Sequence, residues 1–263
     1  MIKLYYHIYT STNKMISQML IDQQLRRIRN AGINQHNTQM NCVITGPWWQ
    51  PAKELVERFG GFRILETKNQ DEEGFYEGRT LRYIWQDAKM DDGICFVHTK
   101  GSAYLSGEKH VNGWNQPRNI TAINSWRWAM EYYTLDLWQD RIHNLNTATD
   151  TEGIMMYLDP FWHYAGNFWW AKGSHIRRLP DPTRMEAPYG DRMNPRAWLM
   201  INKGHHMNYF DCLTQPRSDG RTGPFRMHED DCMPHVLAER KRLTLLKDAL
   251  RRNDGEAVAR YSR

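Results

Sequence analysis

"GICFVHTKGSAY", residues 93–104, decides the fold. The apolar run Ile94-Cys95-Phe96-Val97 stops abruptly at His98-Thr99-Lys100-Gly101. A short run of this kind with polar residues and a glycine behind it reads as a buried strand entering a loop. The same pattern recurs upstream. "IKLYYHIY" (2–9) is apolar and aromatic and ends at Thr10-Ser11-Thr12; "NCVITG" (41–46) closes on Gly46-Pro47; "FRILET" (62–67) follows Gly60-Gly61. Between these strands lie helical patterns. Met15, Met19, Leu20, Leu25 and Ile28 recur at helical spacing over 14–30. A short helix over 51–60 opens with Pro51, and residues 77–89 carry Leu81, Ile84, Trp85 and Ala88 on one face. Strands alternating with helices predict an α/β fold with a mostly parallel central sheet flanked by helices. Ligands of such sheets collect at the carboxyl ends of the strands, where His98, Thr99 and Lys100 fall.

Beyond residue 105 the pattern loosens. Residues 125–145 predict one long amphipathic helix, 153–158 a strand, and 166–180 a strand running into a helix. Residues 235–252 read as a basic helix, so the chain is expected to be one domain over 1–234 with a basic helical tail over 235–263. There is no internal repeat and no low-complexity stretch.

With 263 residues, 40 % of them hydrophobic and 25 % charged, the chain can build an ordinary globular core. Eleven Trp and thirteen Tyr supply a thick core, a cleft that stacks on flat ligands, or both. The net charge of +5 favours an anionic partner, and part of it serves solubility. Cys42, Cys95, Cys212 and Cys232 are too far apart in sequence for a CxxC site, which points to free thiols in a reducing compartment. No run reaches 18 apolar residues and no leader pattern opens the chain, so a cytoplasmic protein is expected.

Three ordered blocks carry a family resemblance. Asn69 with "YEGRTLRYIW" (76–85) is followed by "FVHTKG" (96–101) with "WRWAMEYY" (126–133), and then by "HYAGNFWWAKGSHIRRLPDP" (163–182). Together they resemble small GT-A-like glycosyltransferases of bacteria and viruses that use nucleotide sugars, over roughly residues 1–200. The resemblance implies a GT-A-like domain, a nucleotide-sugar donor (UDP-linked) and transfer to an acceptor hydroxyl. The base and ribose are expected near Tyr9 and Thr10, with Asn69, Arg79, Thr80, His98 and Thr99 completing the donor site. Arg79 and Thr80 open a helix, where phosphate is favoured, although Thr80 as a simple cap fits the pattern equally.

Relatives with this fold hold a metal through Asp-x-Asp at the end of the fourth strand. Here that place reads His98-Thr99-Lys100, and the chain contains no Asp-x-Asp. A lysine replaces a cation where two carboxylates would bind one. The expectation is that Lys100, helped by His98, neutralises the diphosphate leaving group and that no metal cofactor is required. The rival is a Mn²⁺ or Mg²⁺ site at "MHEDD" (227–231) through His228 and Asp230.

An inverting transfer also needs a base. The resemblance places an acid just before a tryptophan, but Arg196 stands ahead of Trp198, which leaves Glu186 and then Asp191. His163, Gly166, Asn167 and Trp169 are expected on the sugar or acceptor side. The basic tail and Arg118, Arg127, Arg177 and Arg178 suit double-stranded DNA carrying hydroxymethylated bases. A surface glycan or lipid-linked saccharide is the competing acceptor. A binding module that has lost its base is the alternative of another class.

Overall fold

The computed structural model describes residues 1–69, 77–106, 117–147, 149–154, 156–157, 163–164, 166–184, 197–201 and 206–208. The expected α/β fold with a mostly parallel central sheet and flanking helices is what it shows. Strand β1 (Ile2–Tyr9) leads through α1 (Lys14–Asn30) to β2 (Thr38–Thr45), then through α2 (Trp49–Phe59) to β3 (Phe62–Lys68). Helix α3 (Gly78–Asp87) precedes β4 (Gly93–His98). Helices α4 (Ser102–Leu105) and α5 (Pro117–Glu131) follow, and then α6 (Trp138–Thr147). The chain continues as β5 (Thr151–Gly153), the small hairpin of β6 (Met156–Tyr157) and β7 (His163–Tyr164), β8 (Trp169–Lys172), α7 (Gly173–Ile176) and β9 (His206–Asn208).

The main sheet has seven strands in the order β3-β2-β1-β4-β8-β5-β9. Strands β1 to β4 are mutually parallel where they pair, β8 runs antiparallel to β4 and β5, and β9 is parallel to β5. In the β1–β4 ladder Tyr5 faces Phe96 and His7 faces His98.

Both faces of the sheet are covered, as the near-continuous apolar strands require. One face packs Leu4, Tyr6, Ile8, Cys42, Ile44, Cys95, Val97 and Trp170 with residues of α1, α2, α5 and α6. The other packs Tyr5, Phe96 and Trp169 with Leu81 and Ile84 of α3 and Ile176 of α7. Cys42 and Cys95 are free and buried, as expected of thiols acting as small hydrophobes. Among the described residues no helix is long and apolar enough to cross a membrane.

The structure departs from the sequence reading in four places. The long helix expected over 125–145 is interrupted by a π-helical turn at Tyr132–Asp136. Such a turn leaves periodicity nearly intact and so is hard to read from sequence. The strand expected over 153–158 is two short strands in different sheets. Met15 and Met19 are exposed; α1 buries Ser17, Leu20, Ile21, Gln24, Leu25 and Ile28 instead. The short second helix begins at Trp49, two residues before Pro51. The proposed tail over 235–263 lies outside the described residues.

Trp170 is fully buried and its indole N–H donates to Thr134 O at 2.8 Å, joining β8 to the π-helical turn. Trp170→Ala should lower stability by about 3–5 kcal/mol, while Met15→Ala should change it by less than about 0.5 kcal/mol, as read from denaturant unfolding.

Candidate functional site

The strand order contains a switch. From β1 the chain steps outward to β2 and β3, and then returns to lay β4 on the other side of β1. A crevice opens outside the carboxyl ends of two strands whose connections leave in opposite directions, and open α/β sheets bind ligands there. Tyr9-Thr10-Ser11 closes β1 at this point and His98-Thr99-Lys100 closes β4.

The two strand ends are clasped together. Thr99 N donates to His7 O at 3.1 Å. The Thr99 hydroxyl accepts from Tyr9 N at 2.8 Å and donates to Tyr9 O at 2.9 Å. Thr10 is fully buried; its hydroxyl donates to Thr45 O at 3.1 Å and accepts from Trp48 N at 3.0 Å. Gly46, at φ 101°, passes so close that a Cβ would overlap Thr10 O. The Thr80 hydroxyl lies 2.9 Å from His7 Nδ1, and both groups are buried; it does not cap α3. The hydroxyls of Thr10, Thr80 and Thr99 are therefore committed to bonds within the protein at the carboxyl ends of β1 and β4.

His98 is anchored at both ends. Its carbonyl accepts from Gln24 Nε2 at 3.0 Å, and its ring Nε2–H donates to Gly166 O at 2.6 Å. The ring lies 4.9 Å from Phe168 between centroids, and Glu77 Oε1 stands 3.7 Å from Nδ1. Burial pushes its pKa down to about 3 against the pull of Glu77, with Lys100 adding to the depression. The ligand-free ring is therefore neutral, with its Nε2–H engaged by Gly166 O.

Gly166 and Asn167 make the turn before β8. Gly166 has φ 90°, and a Cβ there would overlap Met130 Sδ and stand 3.2 Å from Trp126 Cζ2. Helix α5 therefore rests against bare backbone. Asn167 adopts φ 59°, a left-handed conformation that asparagine tolerates better than most residues. Its Oδ1 accepts from Trp169 Nε1 at 2.9 Å and its backbone N–H donates to Tyr164 O at 3.0 Å. Trp169 does not face the crevice: it is 1 % exposed, with its ring 5.3 Å from Phe96. Successive residues of a strand covered on both faces point into opposite cores, so Trp169 and Trp170 are both buried.

The Lys100 side chain is also buried, with Nζ 4.5 Å from the centroid of Trp126. Trp126 thus touches both Lys100 and the Gly166 turn and brings the HTKG and GNFWWA segments together. Asn167 Nδ2 and Ser102 Oγ are among the polar atoms buried at this end of the sheet with no hydrogen-bond partner among the described residues. Buried polar groups are rarely left so, and an absent ligand is one cause.

Beneath the crevice lies a buried polar network. Gln24 Nε2 also donates to Glu131 Oε1 at 2.8 Å, and Tyr6 OH donates to Gln24 Oε1 at 2.7 Å. Arg27 bridges Glu131 and Asp136; burial opposes its charge, but Asp136 and Glu131 more than offset this and hold its pKa above the usual value. Burial pushes the Glu131 carboxyl up and the Arg127 guanidinium down.

The other expected residues are dispersed. Arg79 is buried and donates to Glu66 Oε1 at 2.8 Å. Asn69 is exposed just beyond β3, two strands and about 10 Å from β1. His163 is buried in β7. Glu186, Asp191, His228 and Asp230 lie outside the described residues. Sequence reasoning gave no role to Ser102, Trp126, Met130, Glu77, Gln24 and Glu131. The available signal for four of them was their place inside the matched blocks, at 76–85 and 126–133.

His98 and His7 carry a pH consequence. Burial lowers His7 to about 4 and His98 to about 3. Between these values and about 6.5 the unfolded chain binds protons that the folded chain does not, so stability falls as pH drops through this window. Denaturant unfolding should show stability flat above about pH 7 from this source and declining toward pH 4. His98→Gln should flatten part of that decline.

No curated protein matches the chain. A solved structure from Desulfovibrio desulfuricans G20, provisionally named a nucleotide-diphospho-sugar transferase, is similar over 88 % of this chain and 94 % of its own, at 10 % identity and a TM-score of 0.42. A likeness at that level carries no functional weight. One family profile spans most of the chain, covering the whole of the switch-point crevice and the GNFWWA turn. By that match over residues 5–227 the chain belongs to the family of the domain of unknown function DUF8361.

Proposed function

We propose that this protein is a glycosyltransferase that moves a sugar from a nucleotide-sugar donor to an acceptor hydroxyl at the β1–β4 switch point. The observation that carries the reading is the meeting of Lys100, Trp126 and the Gly166–Asn167 turn at that crevice, with Ser102 Oγ and Asn167 Nδ2 left without hydrogen-bond partners among the described residues. The resemblance of the same segments to nucleotide-sugar glycosyltransferases supports it.

In the proposed reaction the acceptor oxygen bonds to the anomeric carbon of the sugar. The bond from that carbon to the diphosphate oxygen breaks, and its electron pair leaves with the nucleoside diphosphate. Lys100 neutralises the developing charge from a site where burial strengthens the interaction. Tyr9 lies at the nucleoside end of the crevice, and Asn69 and Arg79 stand farther along the same sheet edge. Asn167 and Ser102 offer hydrogen bonds to the sugar or phosphate oxygens, and His163 belongs to the same side. The hydroxyl proton passes to a carboxylate, Glu186 in preference to Asp191. In this reading no metal is required, and a divalent ion at His228 and Asp230 is the rival.

The acceptor is proposed to be anionic, with DNA carrying hydroxymethylated bases as the first candidate. Its support is the basic sequence over 239–263, "ERKRLTLLKDALRRNDGEAVARYSR".

Three measurements test the reading. A panel of UDP-sugars should raise the melting temperature, and EDTA should not remove the shift; loss of the shift in EDTA with recovery in Mn²⁺ transfers Lys100's role to the metal. Lys100→Met should lower kcat for transfer by about 10²–10³-fold, with Lys100→Arg intermediate. Binding to hydroxymethylcytosine DNA should weaken steeply with salt, and a flat response would exclude that acceptor.

A further inference from the structure

The face of the sheet under α3 is unexpectedly polar. A row of side chains crosses three parallel strands in register, Tyr5 of β1, Asn41 of β2 and Arg63 of β3. With Tyr83, Gln86 and Asp87 of α3 they line a cavity of about 290 Å³. This row lies two residues, about 7 Å, from the His7–His98 row on the same face of the sheet, toward the amino ends of the strands and away from the crevice at their carboxyl ends.

Most of the polar groups around the cavity are satisfied. Asp87 Oδ2 accepts from Lys3 Nζ at 2.9 Å and from Tyr5 OH at 2.7 Å. Lys3, itself buried, also pairs with Asp92 at 2.9 Å. Tyr83 OH donates to Glu66 Oε2 at 3.3 Å.

Two groups are not satisfied. Asn41 is 1 % exposed; its Oδ1 accepts from Gln39 Nε2 at 3.1 Å, and its Nδ2, beside the cavity, has no hydrogen-bond partner among the described residues. Arg63 is exposed and has no carboxylate within ion-pair distance among the described residues. A buried amide donor without a partner is destabilising, and an aliphatic residue there would avoid the cost. A guanidinium beside it in the same row adds charge and further donors.

We propose that this cavity is a second ligand site, for a small molecule bearing an oxyanion, a carboxylate or a phosphate. The anion accepts from Asn41 Nδ2 and from the Arg63 guanidinium. Charge-assisted bonds of this kind are the strong ones, and the cavity is large enough for a small metabolite but not for a nucleotide sugar in full. Asp87 presents no unbalanced charge to it, because Lys3 and Tyr5 cover that carboxylate. The site is independent of the proposed transferase reading, since no group in it belongs to the crevice.

The test uses calorimetric titration of the full chain with sodium phosphate and, separately, sodium succinate. Both are run in a Lys100→Met background, which removes the proposed diphosphate contact. One-to-one saturable binding of at least one probe below about 10 mM is expected. Adding Arg63→Gln, an exposed change that leaves the core untouched, should weaken that binding about tenfold or more. Asn41→Leu, which removes the donor and sets an apolar side chain against the cavity, should abolish it while keeping or raising the melting temperature. Absence of saturation for both probes, or binding that Arg63→Gln weakens by less than about tenfold, overturns the proposal. Binding to the unaltered chain that disappears with Lys100→Met alone assigns the anion to the crevice and also overturns it.

Discussion

The His98 imidazole, buried between Phe168 and the Gly166 turn and kept neutral there, joins parts of the chain that are distant in sequence. Its Nε2–H reaches Gly166 O at 2.6 Å across 68 positions, and its carbonyl receives Gln24 across 74. A proton on Nδ1 would place a charge in a site that excludes water, so the single neutral tautomer and its one ring bond are the stable arrangement. From this bond follow the position of the GNFWWA turn, the close seating of α5 on Gly166, and the placement of Trp126 beneath Lys100.

The same constraint explains the division of labour at the crevice. Residues on the strand ends close contacts within the protein: Thr99 clasps β1 to β4, Thr10 holds β1 to the loop after β2, and Thr80 meets His7. Two and four positions beyond the ladder, Lys100 lies against the Trp126 ring and Ser102 Oγ is buried with no hydrogen-bond partner among the described residues. A strand end that must satisfy its own backbone has few donors left for a ligand, whereas the loop that follows it does. The π-helical turn at Tyr132–Asp136 belongs to the same arrangement, because Trp170 donates to a carbonyl within it and so fixes α5 against β8.

The polar face under α3 is the second organising feature. Lys3 lies inside the protein with both Asp87 and Asp92 against it, and although burial opposes its charge these partners hold its pKa above the usual lysine value. Asp87 is held below the carboxylate range despite its own burial, by the hydrogen bonds from Tyr5 and Lys3. A buried charge set of this kind specifies position more than it adds stability. It fixes the carboxyl end of α3 at the amino end of β1, while the other end of that helix meets the crevice through Thr80 and Arg79.

The sequence by itself determined the strands and helices of the first hundred residues and placed His98, Thr99 and Lys100 at the carboxyl end of β4. Apolar runs and their polar stops are local signals set by burial and turn chemistry, and residues 2–9, 41–46, 62–67 and 93–98 carried them unambiguously. Only the tertiary structure decided what each polar side chain does there. Trp169 is expected from sequence on the sugar or acceptor side, whereas β8 is covered on both faces and buries it, and only the fold sets His98 against Gly166 O, where burial keeps the ligand-free ring neutral. Ser102, Trp126 and Glu131 carried no local sign of their places, because hydrogen-bond partners and desolvation arise from contacts between segments that the chain brings together only when it folds.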